Sequence, residues 1–220
     1  MKHLITYFEI AAFVASLLAL PVLRRSKYLR LFPLLLFIIV TVEIQQTFFW
    51  RTGANNAAIY NLQVPLQHLL YLYILYLAMY RQSFKTIIGT LIIIFIVITV
   101  ITGIFFTAPD RFNISAYCAG SVAIIAGILL KFYELLENPL DFNFLRNPFF
   151  YMLFAFLFFN VGTLPYFTMS NWLHFLEAPE NTKLILVSVM SVFNYILYTT
   201  YSLAFLWMIL KGESSLSAQR

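Results

Sequence analysis

Eleven side chains capable of hydrogen bonding or ionisation stand inside long apolar runs of this chain: Glu43, Gln46, Asn61, Gln63, Gln67, His68, Tyr71, Asn160, Tyr166, Asn194 and Tyr198. Glu43 is the sharpest case, because an acidic group at mid-membrane costs about 2.5–3.5 kcal/mol on insertion scales and is kept where it meets a partner or a ligand. His68 titrates near neutral pH, so facing Glu43 it would form either a neutral structural pair or a pH-sensitive one. The chemistry implied is binding, in a small polar pocket. The same residues read structurally are hydrogen bonds between helices, worth about 0.6 kcal/mol each. Catalysis has no support: no nucleophile triad, phosphate loop or intramembrane protease motif occurs, and an enzyme is not expected. Cys118 is the lone cysteine, and His3, His68 and His174 show no paired-ligand spacing, so neither a metal nor another cofactor is expected.

The elements that must position these groups follow from composition. The 220 residues are 62% hydrophobic and 10% charged, far from the quarter charged that is usual in soluble domains. In hydrocarbon every backbone N–H and C=O needs a partner within its own segment, so the long apolar runs predict helices. The expectation is an all-α, polytopic membrane protein, one seven-transmembrane-helix domain over 1–220, with spans at 4–23, 31–50, 59–80, 86–106, 114–135, 148–169 and 183–210. Ten of the fourteen Lys and Arg fall on one side, four of them (Arg24, Arg25, Lys27 and Arg30) in the first loop. The positive-inside rule then predicts the N-terminus outside and the C-terminus in the cytoplasm, in a cell membrane of the bacterial inner-membrane kind. The basic residues form no run of the type that binds nucleic acid, and the bilayer is the expected partner.

Counting 1.5 Å per residue puts Glu43 roughly 10 Å, and Gln67 and His68 roughly 12–14 Å, in from the outer helix ends. Asn160 and Asn194 come at similar depth. Glu9, shallower, is expected to reach lipid headgroups. Pro65 frees a carbonyl near Asn61, while Gly162 and Pro165 permit close packing and a kink in the sixth span. Lys131 and Glu134, one turn apart, are expected to pair. The loop 136–147 lacks a basic excess and is a candidate docking surface for a cytoplasmic or membrane signalling partner. Asn113-Ile-Ser115 matches a glycosylation sequon.

Spans two and six share an early proline (Pro33, Pro148) and a later polar residue (Glu43, Asn160), and spans three and seven share Gln67–Tyr71 and Asn194–Tyr198 spacing. This pattern is similar to the 3+1+3 parallel repeats of SWEET-type sugar carriers. The segments VEIQQ (42–46), LLKFYELLE (129–137), RNPFFY (146–151) and FNYILY (193–198) also resemble a family of small bacterial seven-helix membrane proteins. That resemblance implies a sensory role beside signalling genes. It also implies a glutamate where this chain has Gln67 or His68, which weakens any shared acid-based mechanism. The expected function is a receptor or sensor-like protein with a ligand pocket in the outer half of the bundle. The alternatives are a small-solute transporter and a structural subunit of a membrane complex. Lysines only at the ends of the last span, Lys183 and Lys211, argue against a retinal protein.

Overall fold

The computed structural model describes residues 2–52, 57–108, 111–137, 146–175 and 180–211. Among them every regular element is helical: α1 (Lys2–Leu18), α2 (Leu20–Leu23), α3 (Phe32–Thr52), α4 (Ala57–Ala78), α5 (Gln82–Ile101), α6 (Ile114–Glu137), α7 (Pro148–Phe175) and α8 (Glu180–Lys211). Five helical stretches, Leu29–Gln46, Gln82–Phe106, Ile114–Glu137, Pro148–Met169 and Val187–Lys211, are long and apolar enough to cross a membrane. This is the build of a multi-pass membrane protein. α1 supplies the shorter apolar stretch Leu4–Leu18. α4 is diluted by Asn61, Gln63, Gln67 and His68 and is not among the five.

Helix ends follow the local chemistry. The first predicted span is not one helix, because Pro21 has no N–H to continue the ladder and the chain restarts after Ala19 as the short α2. α4 stops at Ala78, two residues before the predicted end, where the chain turns extended to enter α5. Pro148 occupies the first position of α7, and the Asn147 side chain caps the helix by accepting the Phe149 N–H at 2.9 Å. Asn113 caps α6 in the same way, its Oδ1 accepting the Ala116 N–H at 3.0 Å. The sequon reading is thereby corrected: Asn113 is buried, and the Nδ2 a glycan would use donates to Thr102 at 2.9 Å.

α1, α3, α4, α6, α7 and α8 pack in a closed ring in that order, and α5 lies outside it against α4 and α6. The position of α5 follows from its sequence, the most apolar of the spans with a mean hydropathy of 2.9 and only 11% of its stretch buried. Small residues admit the close contacts on α6: a Cβ added at Gly120 would fall on the His68 ring and Phe95, and one at Gly127 would lie 3.0 Å from Ile88 and Leu75.

The half of the ring where α2 ends and α3 and α7 begin, the lower half, is filled at its centre by aromatic rings. Phe32 sits edge-on to Phe149, Tyr201 and Phe205 at 6.4, 5.7 and 6.0 Å between centroids, and all four rings are buried. At the same end a buried ion pair closes the connection from α4 to α5. Lys131 Nζ donates to Glu134 Oε2 at 2.8 Å and to the Ala78 carbonyl, the last of α4, at 2.7 Å. Glu134 Oε1 accepts the Tyr80 and Arg81 N–H groups at 2.9 and 2.7 Å, which caps the start of α5 from a neighbouring helix. The spacing of Lys131 and Glu134 predicted the pair. Its burial, with both side chains 3% exposed, makes it a clamp on two helix ends rather than a solvated surface contact. Arg81 also pairs with Glu137. Residues 138–145 of the expected docking loop lie outside the described residues.

Candidate functional site

The upper half, where α1, α4, α6 and α8 begin, is hollow. A cavity of about 310 Å³ is walled by five ring helices, α1, α3, α4, α7 and α8, by Tyr117 of α6 and by Phe112 just before it. Eight of the eleven residues singled out in the sequence line it: Glu43, Gln63, Gln67, His68, Tyr71, Asn160, Asn194 and Tyr198. Glu43, Gln67, Asn160 and Asn194 come in at similar depth because the rise per residue is fixed, while Gln63 and Tyr71, eight residues apart on α4, extend the lining along the axis by about 12 Å.

The other three go elsewhere. Asn61 faces the connection before α6, its Nδ2 donating to the Arg111 carbonyl and its Oδ1 accepting the Asn113 N–H, both at 2.8 Å. It therefore positions the rim of the site. Gln46 is buried with neither side-chain polar atom hydrogen-bonded, but it does not line the cavity. Tyr166 packs edge-on against Phe167, at 5.2 Å between centroids.

His68 does not pair with Glu43, as matched depth had suggested. Nδ1 lies 2.7 Å from the Val64 carbonyl, which makes it the protonated nitrogen, and Nε2 lies 3.4 Å from Ser121 Oγ. The ring is seated on Gly120 and flanked by Phe95 and Tyr117. These contacts seat the ring in the packing between α4, α5 and α6. Glu43 instead meets Tyr60, whose hydroxyl donates to Oε1 at 3.4 Å.

Glu9 corrects the sequence reading most sharply. Expected among headgroups, it is 4% exposed and lines the cavity. Tyr198 and Glu43 both stand near enough to interact with it electrostatically. A signal for this was available: Ala12, Ser16 and Ala19 follow Glu9 at i+3, i+7 and i+10, a stripe of small residues marking the packed face of the helix, and all three are 0% exposed. The aromatic members Tyr60, Phe112, Tyr117, Phe156, Phe159 and Phe167 carried no such signal, since aromatic residues stand on every face of these helices.

Much of the lining is locked. Tyr71 stacks on Phe156 at 3.7 Å between centroids and its hydroxyl accepts from Tyr201 at 3.2 Å, which forms the floor. Tyr117 lies 3.9 Å from Phe167 between centroids, with its hydroxyl 2.8 Å from Thr163 Oγ1. Asn160 Nδ2 donates to the Phe156 carbonyl at 2.8 Å and Asn194 Nδ2 to the Met190 carbonyl at 3.0 Å. Each amide thus spends one N–H on its own helix and keeps its carbonyl oxygen and second N–H to offer. Two buried acceptors on the wall, Glu9 Oε2 and Gln63 Oε1, have no hydrogen-bond partner. No lysine or arginine lines the space among the described residues, and no group of three metal-ligating side chains occurs among them.

No protein-family model, curated protein or solved structure matches the chain. The site is therefore read from its own geometry.

Proposed function

We propose that the chain is a seven-span receptor or sensor-like protein of the bacterial inner membrane, with its N-terminus outside and a ligand pocket in the outer half. Counting α1 with α2, and α4 despite its polarity, supplies the two spans beyond the five apolar stretches. The distribution of Lys and Arg supports the orientation, which places the hollow half of the ring outside. The observation that carries the reading is the cavity itself. Polar groups from five helices converge on one space and two buried acceptors there lack donors, an arrangement that costs stability unless something fills it. The packed lower half supports a pocket with a closed floor.

The test is thermal unfolding of the purified protein across a broad panel of solutes and lipids. A ligand at 100 times its Kd stabilises the folded state by about 2.7 kcal/mol. Glu43→Gln is expected to abolish the shift while expression is retained. Silence across the panel, together with co-purification of a membrane partner, would favour the structural-subunit reading instead.

A second reading, a small-solute carrier, is favoured by one observation. Exchanging α1 with α6, α3 with α7 and α4 with α8 maps every neighbour contact of the ring onto another, leaving α5 as the extra helix. Glu43 and Asn160, Gln67 and Asn194, and Tyr71 and Tyr198 are then equivalent pairs, and all six line the cavity. Saturable uptake of a stabilising solute into proteoliposomes would establish the carrier, and binding without flux the receptor.

A further inference from the structure

We propose that the cavity takes a protonated amine carried on a short apolar stem, an inference that rests on the pocket reading above and names its ligand class. The walls offer several acceptors: the carboxyl groups of Glu9 and Glu43, Gln63 Oε1, and the amide oxygens of Asn160 and Asn194, each of whose nitrogens already donates to its own helix. Tyr60 already donates its hydroxyl to Glu43 Oε1. Glu9 Oε2 and Gln63 Oε1 are buried and wait for donors.

An ammonium group brings up to three N–H donors and a positive charge, so it supplies what such acceptors lack in charge-assisted bonds. An anion brings no donor and satisfies neither. A neutral alcohol has one donor and no charge. The remaining surface suits the same ligand, because aromatic faces attract cations electrostatically and the apolar ring bodies accept a hydrocarbon stem. The volume of about 310 Å³ sits at the small end of ligand pockets, about 300–1,000 Å³, which limits that stem to a few carbons or a single ring.

The experiment compares three probes of nearly equal size on the full chain in nanodiscs: butylammonium chloride, 1-butanol and sodium butyrate, with sodium chloride matching ionic strength. Thermal unfolding is expected to rise saturably with butylammonium alone. Glu9→Gln, which keeps the side-chain volume, is expected to weaken that binding roughly tenfold or more. Gln63→Leu guards against a misfolded Glu9 variant, since it removes an unsatisfied acceptor without opening a hole. It is expected to fold at least as stably as the parent and to bind butylammonium several-fold more weakly.

A saturable shift with 1-butanol or butyrate equal to that with butylammonium would overturn the amine assignment and leave the pocket standing. So would unchanged butylammonium binding in both variants. Silence of all three probes alongside a hit elsewhere in the broad panel likewise removes the amine alone, whereas silence of the entire panel removes the pocket reading with it.

Discussion

Replacing Lys131 by Met tests how the lower half of the bundle is held together. The substitution preserves the length of the stem and removes the ammonium that binds Glu134 Oε2 and the Ala78 carbonyl and lies 3.9 Å from the centre of the Tyr80 ring. Were the pair solvated, as i,i+3 pairs on helices usually are, the loss would be about 0.3–0.5 kcal/mol. With both side chains 3% exposed the relevant figure is that for orphaning a buried charge, about 3–5 kcal/mol. Glu134 keeps the Tyr80 and Arg81 N–H groups on Oε1, which argues for the lower end, about 3 kcal/mol.

Glu134→Gln should cost about 2 kcal/mol, because an amide N–H₂ can then face the ammonium in place of Oε2. In the double variant no buried charge is left, so its cost should fall below the sum of the two by about 1–2 kcal/mol. Equilibrium unfolding of the four proteins by SDS titration in mixed micelles measures the cycle. Additivity within about 0.5 kcal/mol, or a Lys131→Met loss no larger than a surface substitution gives, would refute the clamp.

Gly120→Ala should destabilise by about 1–3 kcal/mol, because its Cβ would occupy space held by the His68 ring and Phe95; the change in midpoint on thermal unfolding measures this. Asn113→Ala should cost about 1 kcal/mol through the lost cap of α6, and glycan attachment at Asn113 should not occur when the chain is inserted into glycosylation-competent microsomes. Tyr201→Phe, which deletes the donor to Tyr71 but keeps the ring, should cost about 0.6 kcal/mol in the same unfolding assay. Single cysteines placed in a Cys118→Ser background should react with an impermeant thiol reagent in intact cells at residue 111 but not at residue 27. The opposite pattern would invert the orientation.

What was legible depended on whether a property runs along the helix or around it. Glu43, Gln67, Asn160 and Asn194 were placed at one depth by counting residues, and they do meet at one cavity, because axial rise is the same in every helix. The direction a side chain takes about the axis was not available to counting. Depth alone suggested His68 beside Glu43, yet the ring turns to Gly120 and Ser121 on α6. Asn61 has the same residue type and setting as the cavity amides but faces the rim. Glu9 was misplaced by treating depth as decisive when its small-residue neighbours on α1 marked the packed face. The split at Ala19 was foreshadowed by Pro21, whose missing N–H is a local fact.

From the sequence alone came the solvent and the class. A chain this apolar, in runs this long, must satisfy its backbone within helices, and the charges left over fall into short connections. The expected orientation also came from there, since it depends on how many Lys and Arg stand on each side and not on how helices pack. The tertiary structure decided which groups share a space. Closing six helices into a ring brings Glu9, Glu43 and Tyr198, from three different helices, to one cavity, and leaves α5 outside the ring with most of its apolar surface exposed. It also turned Lys131 and Glu134 from an ordinary pair into a buried clamp, because burial is a property of neighbours, and neighbours are set by rotation about each helix axis rather than by position along it.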